Sequence, residues 1–251
     1  MPPTSAVSVS DRVAHEIAHG QYLAREGAEK VWGWGTPAGK LRADRRTDMI
    51  AQGARLKPGM RVVEVGCGTA LFTERLTKLG VHVTAVDLSP DLLELARGRG
   101  IDPSLVTFVH GRFEEIDLPN DFDAVVGSSV LHHLEVAPAL ERAYKVIRSG
   151  GAIAFAEPNM LNPQIAVQKN VPIVKRWAGD SPDETAFFRW QLKRMMEAAG
   201  FTEAQVTPFD WLHPSTPRPL IPLIDKLGRG VERIPLVREF AGSVVCRATR
   251  P

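Results

Sequence analysis

The chain has 251 residues, of which 44% are hydrophobic and 24% charged, a composition that is ordinary for a globular protein with a full core. Its 31 basic and 29 acidic side chains nearly cancel to a formal net charge of +2, without the concentrated basic face typical of a nucleic-acid binder. Two distant cysteines, a polar N-terminus and no apolar stretch near the roughly 20 residues that cross a bilayer predict a cytoplasmic protein without a membrane partner.

The first part of the chain is predicted to be helical. Residues 11–56 carry this pattern, interrupted by a turn at the glycines and proline of residues 32–37. We therefore interpret residues 1–56 as an N-terminal helical cap and residues 57–251 as the main domain. Beyond the cap, short β-branched strands are predicted at 61–65, 82–86, 106–109, 123–127 and 152–156, with helices at 71–79, from Ser89, and at 137–147.

This alternation stops after residue 157. Residues 158–187 and 210–240 are rich in proline and too long for ordinary connections, so we expect two lids over a site. The remaining pattern predicts helices at 188–199 and 220–229 and strands at 204–209 and 242–248. Strands that alternate with helices predict an α/β fold, with a mostly parallel sheet covered by helices on both faces.

The most informative segment is the turn that contains Gly66, Cys67 and Gly68, which follows a strand and precedes a helix. Glycines are needed where the backbone bends sharply and a ligand must approach it without a Cβ in between. A dinucleotide-binding turn would have a third glycine where this sequence has Leu71, which argues against NAD or FAD. Asp87 ends the next strand, where a carboxylate can accept hydrogen bonds from both hydroxyls of a ribose.

Two further segments follow the third and fourth strands. Residues 111–113 offer backbone and an aromatic face for an adenine ring, and residues 127–133 place Ser128, His132 and His133 after the fourth strand. In an open parallel sheet, ligands bind beyond the carboxyl ends of the strands. Because all four segments lie at such ends, the sequence predicts that they share one ligand site.

Together these motifs resemble the class I S-adenosylmethionine-dependent methyltransferases, in particular the branch called type 11. The resemblance covers residues 56–159 and rests on the glycine turn and on the segments Val86–Pro90, Phe122–Val126, Val130–Leu134 and Arg148–Gly151. It implies a Rossmann-like seven-stranded sheet, S-adenosylmethionine as the cofactor, and methyl transfer to an acceptor by in-line displacement. The balanced charge and the apolar, aromatic lid regions favour a small-molecule acceptor.

The resemblance also implies which residues contact the cofactor. Gly66 and Gly68 would line the methionine portion, Asp87 would bind the ribose, and Leu88 and Phe113 would flank the adenine. Glu64 is expected to order the glycine turn. The full predicted set is Glu64, Gly66, Cys67, Gly68, Asp87, Leu88, Arg112, Phe113 and Ser128.

Two positions depart from the family pattern. Ala70 stands where a glycine is common, a change that the start of a helix should tolerate. Arg112 stands where an acid often accepts a hydrogen bond from the adenine amino group, and a guanidinium cannot accept one. We expect the main chain together with Glu114 or Asp117 to replace it.

His133 and Glu157 are the candidate catalytic bases, because both follow strands at the predicted site and histidine titrates near neutrality. No spacing of metal ligands is present, so no metal is expected. The alternative function is a protein that binds S-adenosylmethionine without transferring its methyl group. The sequence determines neither the methylated atom nor the oligomeric state, because this scaffold serves many acceptors.

Overall fold

Seven strands form one mixed sheet in the computed structural model, which describes residues 9–181 and 183–251. The order across the sheet is β3-β2-β1-β4-β5-β7-β6. Strands β1 to β5 run parallel to one another, whereas β7 is antiparallel to both β5 and β6. This confirms the predicted α/β fold. The strands are β1 (Arg61–Val65), β2 (His82–Asp87), β3 (Val106–His110), β4 (Phe122–Ser128), β5 (Ile147–Pro158), β6 (Thr202–Phe209) and β7 (Ser243–Thr249).

The central strands are buried on both faces, which explains their continuous apolar sequences. Successive side chains of a strand point to opposite faces, so neighbouring residues enter different cores. In β1, Val63 and Val65 pack into one hydrophobic cluster and Val62 into the other. The first cluster is closed by α6 (Val136–Val146) and α9 (Arg189–Ala198), and the second by α4 (Leu71–Thr77) and α5 (Pro90–Arg97).

The N-terminal part comprises α1 (Val9–Glu26), α2 (Ala28–Val31) and α3 (Pro37–Gly53), and a turn separates α2 from α3 as predicted. Thr36 caps α3, since its Oγ1 accepts a hydrogen bond from the amide of Gly39 at 2.9 Å. Helix α3 contributes Ile50 to the second core cluster, together with Ala54 just beyond it. It therefore packs as part of the sheet's own core, whereas α1 packs on α5.

The two predicted lids are mainly helical. They contain α7 (Pro163–Asn170) and α8 (Pro172–Trp177) in the first lid, and a 3₁₀-turn (Arg218–Leu220), α10 (Ile221–Val231) and α11 (Pro235–Arg238) in the second. Four of the prolines that suggested irregular structure occupy first helical turns, where a missing N–H costs nothing; these are Pro163, Pro172, Pro222 and Pro235. Residues 1–8 of the cap and Pro182 of the first lid lie outside the described residues. None of the described helices is long and apolar enough to cross a membrane.

Candidate functional site

A cavity of about 590 Å³ lies at the carboxyl ends of β1, β2 and β4. Its floor is formed by the glycine turn, the end of β2 and the segment after β4. Its walls come from α1, the turn before α3, α3 itself, and both lids. The structure thus brings the predicted motifs to one site and encloses them with segments from distant parts of the chain.

The backbone of the turn after β1 requires both of its glycines. Gly66 and Gly68 have φ angles of +65° and +52°, in the left-handed region that favours glycine. A Cβ on Gly66 would lie 2.2 Å from Cγ2 of Val130, and one on Gly68 would lie 3.0 Å from the ring of Trp32. Ala70 also has a positive φ, +61°. The start of α4 thus accommodates an alanine at this position, but the backbone there is strained.

Asp87 is held in place by the backbone on both sides. Its Oδ2 accepts the amide of Gly68 at 2.7 Å, and its Oδ1 accepts the amide of Ser89 at 2.8 Å. Burial raises the pKa of Asp87, and these two hydrogen bonds oppose that rise. Each carboxylate oxygen retains a second lone pair for a ligand hydroxyl. Leu88 lines the cavity next to Asp87.

The segment after β3 forms the next part of the wall, where Arg112, Phe113 and Glu114 all line the cavity. The guanidinium of Arg112 forms ion pairs with Glu115 and, at 3.2 Å, with Glu135. Of the two carboxylates expected to replace an acid at position 112, Glu114 lies on the cavity wall, whereas Asp117 does not line it.

Two residues of the predicted cofactor set are set back from the ligand space. Glu64 does not line the cavity, and its Oε2 accepts the hydroxyl of Thr73 at 2.5 Å. Burial raises the pKa of Glu64 to about 8, despite that hydrogen bond. Glu64 therefore ties β1 to α4 behind the turn. Cys67 borders the cavity with only 5% of its surface exposed.

Arg46 on α3 is a candidate ligand-binding residue that the sequence motifs did not identify. Its side chain lines the cavity with 2% exposure and donates to Ser129 Oγ at 2.8 Å, the Ala156 carbonyl at 3.1 Å and Ser243 Oγ at 2.5 Å. Burial lowers the pKa of Arg46 to about 10, so it stays charged at neutral pH. Its Nε has no hydrogen-bond partner, and no carboxylate among the described residues pairs with it within 4.0 Å.

Such a buried charge is costly unless a ligand compensates it. A signal was present, because Arg46 falls on the same helical face as the buried residues Ala43 and Ile50. A charged residue at an apolar position of an amphipathic helix indicates a buried charge with a specific purpose. Ser128 of the predicted set lies beside it, with its Oγ 3.4 Å from Arg46 Nη1.

The histidine pair after β4 is divided between two different environments. His132 is 4% exposed, and its Nδ1 lies 2.6 Å from Oε2 of Glu157. Oε1 of Glu157 accepts the amides of Val130 and Leu131, both at 3.0 Å. Glu157 is fully buried and does not line the cavity. It holds the segment that carries His132 and has no oxygen directed to a ligand.

Burial and the charge of His133 lower the pKa of His132, although the hydrogen bond with Glu157 opposes this. Burial opposes ionisation of Glu157, but its interactions with His132 and the hydrogen bonds from the Leu131 and Val130 amides together outweigh burial and lower the pKa of Glu157. At neutral pH the pair is therefore a neutral imidazole and a carboxylate. With Nδ1–H donated to Glu157, Nε2 of His132 carries a free lone pair.

His133 is paired with the N-terminal helix. Its Nδ1 lies 2.9 Å from Oε2 of Glu16 on α1. Burial opposes protonation, but the ion pair with Glu16 and the charge of Glu184 outweigh it and raise the pKa of His133 to about 9. His133 lines the cavity as an imidazolium at neutral pH, a form that cannot accept a proton.

Glu184 in the first lid faces both histidines across the cavity. Its carboxylate oxygens lie 3.9 Å from Nε2 of His132 and 4.0 Å from Nε2 of His133. These three side chains could together hold a metal ion, since their ligand atoms lie within 4.8 Å of one another. However, the buried ammonium of Lys169 already lies 2.5 Å from Oε2 of Glu184 and 2.8 Å from Asp180. The cation of this cluster is thus a lysine, and we assign it no metal.

Comparison with known families identifies the central part of the chain. Residues 63–155 match the methyltransferase domain family known as Methyltransf_11. This stretch includes the glycine turn, Asp87, and the segments after β3 and β4. The resemblance drawn from the sequence motifs is thereby confirmed.

The curated relatives cover the same region. The chain is 35% identical over 118 residues to a ubiquinone biosynthesis O-methyltransferase of Xanthomonas campestris, a match that covers 45% of this chain and 49% of that one. It is 32% identical over 130 residues to the mitochondrial enzyme of that name from Schizosaccharomyces pombe, covering 48% and 46%. The chain thus spans about half the length of the curated relatives it matches.

Solved structures show that the fold extends over almost the whole chain. A possible histamine N-methyltransferase from Thermotoga maritima superposes with a TM-score of 0.64 at 20% identity, over 93% of this chain and 100% of that one. The N-methyltransferase NodS from Bradyrhizobium japonicum, in complex with S-adenosylhomocysteine, gives 0.61 at 18% identity over 93% and 98%. At such identities the comparison establishes the fold alone.

Proposed function

We propose that this chain transfers a methyl group from S-adenosylmethionine to a small-molecule acceptor, because it carries a class I methyltransferase domain at residues 63–155. One observation carries the proposal. The glycine turn, the carboxylate of Asp87 and the guanidinium of Arg46, which has no direct ion pair among the described residues, all face the same cavity. These are the partners needed by a ligand that has a ribose at one end and a carboxylate at the other.

The residues of the cavity fit this cofactor group by group. Asp87 would accept hydrogen bonds from the ribose hydroxyls. Leu88 and Phe113 would enclose the adenine, and Glu114 can accept a hydrogen bond from its amino group. Arg46 would pair with the methionine carboxylate and gain the counter-ion that the protein does not supply. S-adenosylmethionine, when bound, supplies a methyl group that is already activated by the positive charge on its sulfur.

The remaining task of the protein is to align the acceptor and, for a hydroxyl acceptor, to remove its proton. We assign that proton to Nε2 of His132, with Glu157 as the residue that positions the ring. This arrangement follows the logic of a histidine oriented by a buried carboxylate. A hydroxyl acceptor fits it, and the curated relatives named as O-methyltransferases favour the same acceptor class.

This assignment differs from the two bases selected from the sequence. His133 is protonated by its pairing with Glu16, and Glu157 is enclosed behind His132. The change follows from hydrogen-bond geometry that local motifs do not contain. Both lids and α1 contribute walls to the cavity, an arrangement that would limit the access of water to the reacting groups.

Calorimetric titration with S-adenosylmethionine, S-adenosylhomocysteine and NAD tests the cofactor, and a panel of phenolic acceptors analysed by product mass tests the reaction. Micromolar binding of the two adenosyl compounds but not of NAD, with a gain of one methyl group in a product, is the expected result. Binding without product from any oxygen, nitrogen or sulfur acceptor would support the alternative of a non-transferring S-adenosylmethionine-binding protein. Failure of a folded sample to bind either adenosyl compound would overturn the proposal.

A further inference from the structure

Exposed apolar side chains are concentrated in the two lids. Of the sixteen large hydrophobic side chains that are exposed among the described residues, eleven lie in segments 158–187 and 210–240, which make up about a quarter of the chain. Several project far into solvent, with Trp177 at 89% exposure and Leu236 at 81%. The eleven are Val167, Val171, Ile173, Trp177, Leu220, Leu223, Leu227, Ile234, Leu236, Val237 and Phe240.

The exposed charges of the same segments all have one sign. Within the described part of both lids, every exposed charged side chain is basic, while the acids are buried or half-buried. Those acids are also paired, for example Asp225 with Arg229, and Glu232 with Arg45 of α3. The exposed basic residues are Arg176, Arg218, Lys226, Arg229 and Arg233.

Hydrogen bonds join the two lids into neighbouring parts of one surface. Nε2 of Gln164 on α7 lies 3.0 Å from Nε2 of His213, and the side-chain Nδ2 of Asn162 donates to the carbonyl of Phe240 at 2.8 Å. We call the eleven apolar and five basic side chains the apolar–basic face. On α10, Leu223 and Leu227 are spaced to lie on one side of the helix, beside the buried side that contains Ile221.

We propose that the apolar–basic face docks on the surface of a lipid bilayer that contains anionic lipids. Short amphipathic helices with apolar side chains flanked by Lys and Arg lie in the membrane interface, with the apolar groups inserted and the basic groups near the lipid phosphates. A second copy of this chain is a poorer occupant, because two such faces would bring basic side chains together. The high exposure of Trp177 and Leu236 also suits insertion into an interface.

This revises the expectation that the protein has no membrane partner, which rested on the lack of a segment able to cross a bilayer. Attachment to the surface needs no such segment. Ile165 and Lys169 of α7, and residues 213–215 just before the second lid helices, line the cavity. The docked face would therefore place this wall of the cavity near the lipid, close to an acceptor that partitions into the membrane.

Flotation of the full chain with vesicles tests the proposal without any reference to methyl transfer. We expect binding to vesicles of phosphatidylcholine that contain about one-third phosphatidylglycerol, and weak binding to phosphatidylcholine alone. Raising the salt from about 0.1 to about 1 M, which shortens the Debye length from roughly 10 to 3 Å, should weaken the binding to anionic vesicles. Lys226→Gln with Arg233→Gln should weaken it roughly fivefold for each residue.

The apolar contribution is tested with a matched pair of variants. Leu223→Ser with Leu227→Ser should reduce vesicle binding by at least about tenfold. Leu79→Ser with Leu95→Ser, which removes leucines of 38% and 47% exposure outside the face, should leave it unchanged. Equal binding by both double variants, or no binding of the folded wild type to anionic vesicles, would overturn the proposal. Self-association in light scattering that the Leu223/Leu227 variant abolishes would instead assign the face to a second copy of the chain.

Discussion

Nδ1 of His132 lies 2.6 Å from Oε2 of Glu157, and the two side chains are 4% and 0% exposed. Their backbones are brought together because β4 and β5 are parallel neighbours, so that the segment after β4 passes the end of β5. The second oxygen of Glu157 fixes the amides that precede His132. The carboxylate therefore sets both the position and the tautomer of one imidazole at the cavity.

We predict that His132→Ala lowers kcat by a factor on the order of 10² to 10⁴ while S-adenosylhomocysteine binds as in the wild type, because a base acts only on the acceptor. Glu157→Gln should also lower kcat and should change its pH profile, since the amide cannot hold the imidazole as the carboxylate does. Steady-state kinetics and calorimetry measure the two effects. Full turnover by His132→Ala would remove this residue from the mechanism.

Arg46 provides a prediction about the cofactor. Arg46→Met should weaken binding of S-adenosylhomocysteine by at least about thirtyfold, because the ligand carboxylate would lose its buried cation. Methylthioadenosine, which has the ribose and adenine but no carboxylate, is the control ligand, and its affinity should change little. Equal losses of affinity for both ligands in calorimetry would show that Arg46 supports the fold of the site and does not bind the carboxylate.

The ion pair between Glu16 and His133 predicts how stability depends on pH. The pKa of His133 is raised from 6.5 to about 9 in the folded protein, with Glu16 as the main favourable partner. The stabilisation is therefore complete below about pH 6.5 and is lost as the pH rises through about 9, by up to about 3 kcal/mol. Chemical unfolding across that range should show a falling free energy of unfolding.

Two variants isolate this contribution from other groups that titrate in the same range. His133→Gln should reduce the pH-dependent fall in the free energy of unfolding the most. Glu16→Gln should reduce it in part, because Glu184 also favours the charged imidazole. Identical slopes for wild type and His133→Gln would show that His133 is not protonated in the folded state. Below pH 6.5, both variants should be less stable than the wild type.

Gly20 sets how closely α1 approaches the cavity. A Cβ at this position would lie 2.4 Å from Oγ of Ser89, the residue that caps α5 through the amide of Leu92. Gly20→Ala should therefore lower the free energy of unfolding by about 1–3 kcal/mol and weaken cofactor binding, as α1 is displaced. Adding Ser89→Gly should recover part of the loss, since glycine is a tolerable cap and removes the obstructing atoms.

The control for Gly20→Ala is a helical glycine with free space. A Cβ on Gly230 in α10 meets nothing within 4 Å, so Gly230→Ala should raise the free energy of unfolding by up to about 1 kcal/mol. Thermal and chemical unfolding measure both the expected loss of stability in Gly20→Ala and the expected gain in Gly230→Ala. A Gly20→Ala variant as stable as the wild type would show that α1 is free to move away from α5.

Much of the fold was predictable because its signals are local. The β-branched runs placed all seven strands, and the Gly66–Gly68 turn and Asp87 were identifiable because neighbouring residues determine their geometry. The predictions based on prolines were less accurate, because the two proline-rich lids are mainly helical and not irregular. Pro163 and Pro172 begin helices α7 and α8, and proline is compatible both with a loop and with a first helical turn.

The sequence by itself determined the sheet, the glycine turn and the position of the Asp87 carboxylate at the end of β2, because each depends on residues within a few positions of one another. Only the tertiary structure decided which histidine is neutral, which cation lacks a counter-ion, and which acids are enclosed. Glu16 meets His133, and Arg46 meets Ser129 and Ser243, across separations of more than 80 residues. Charge and protonation in a buried site depend on such distant partners, and a linear motif does not record them.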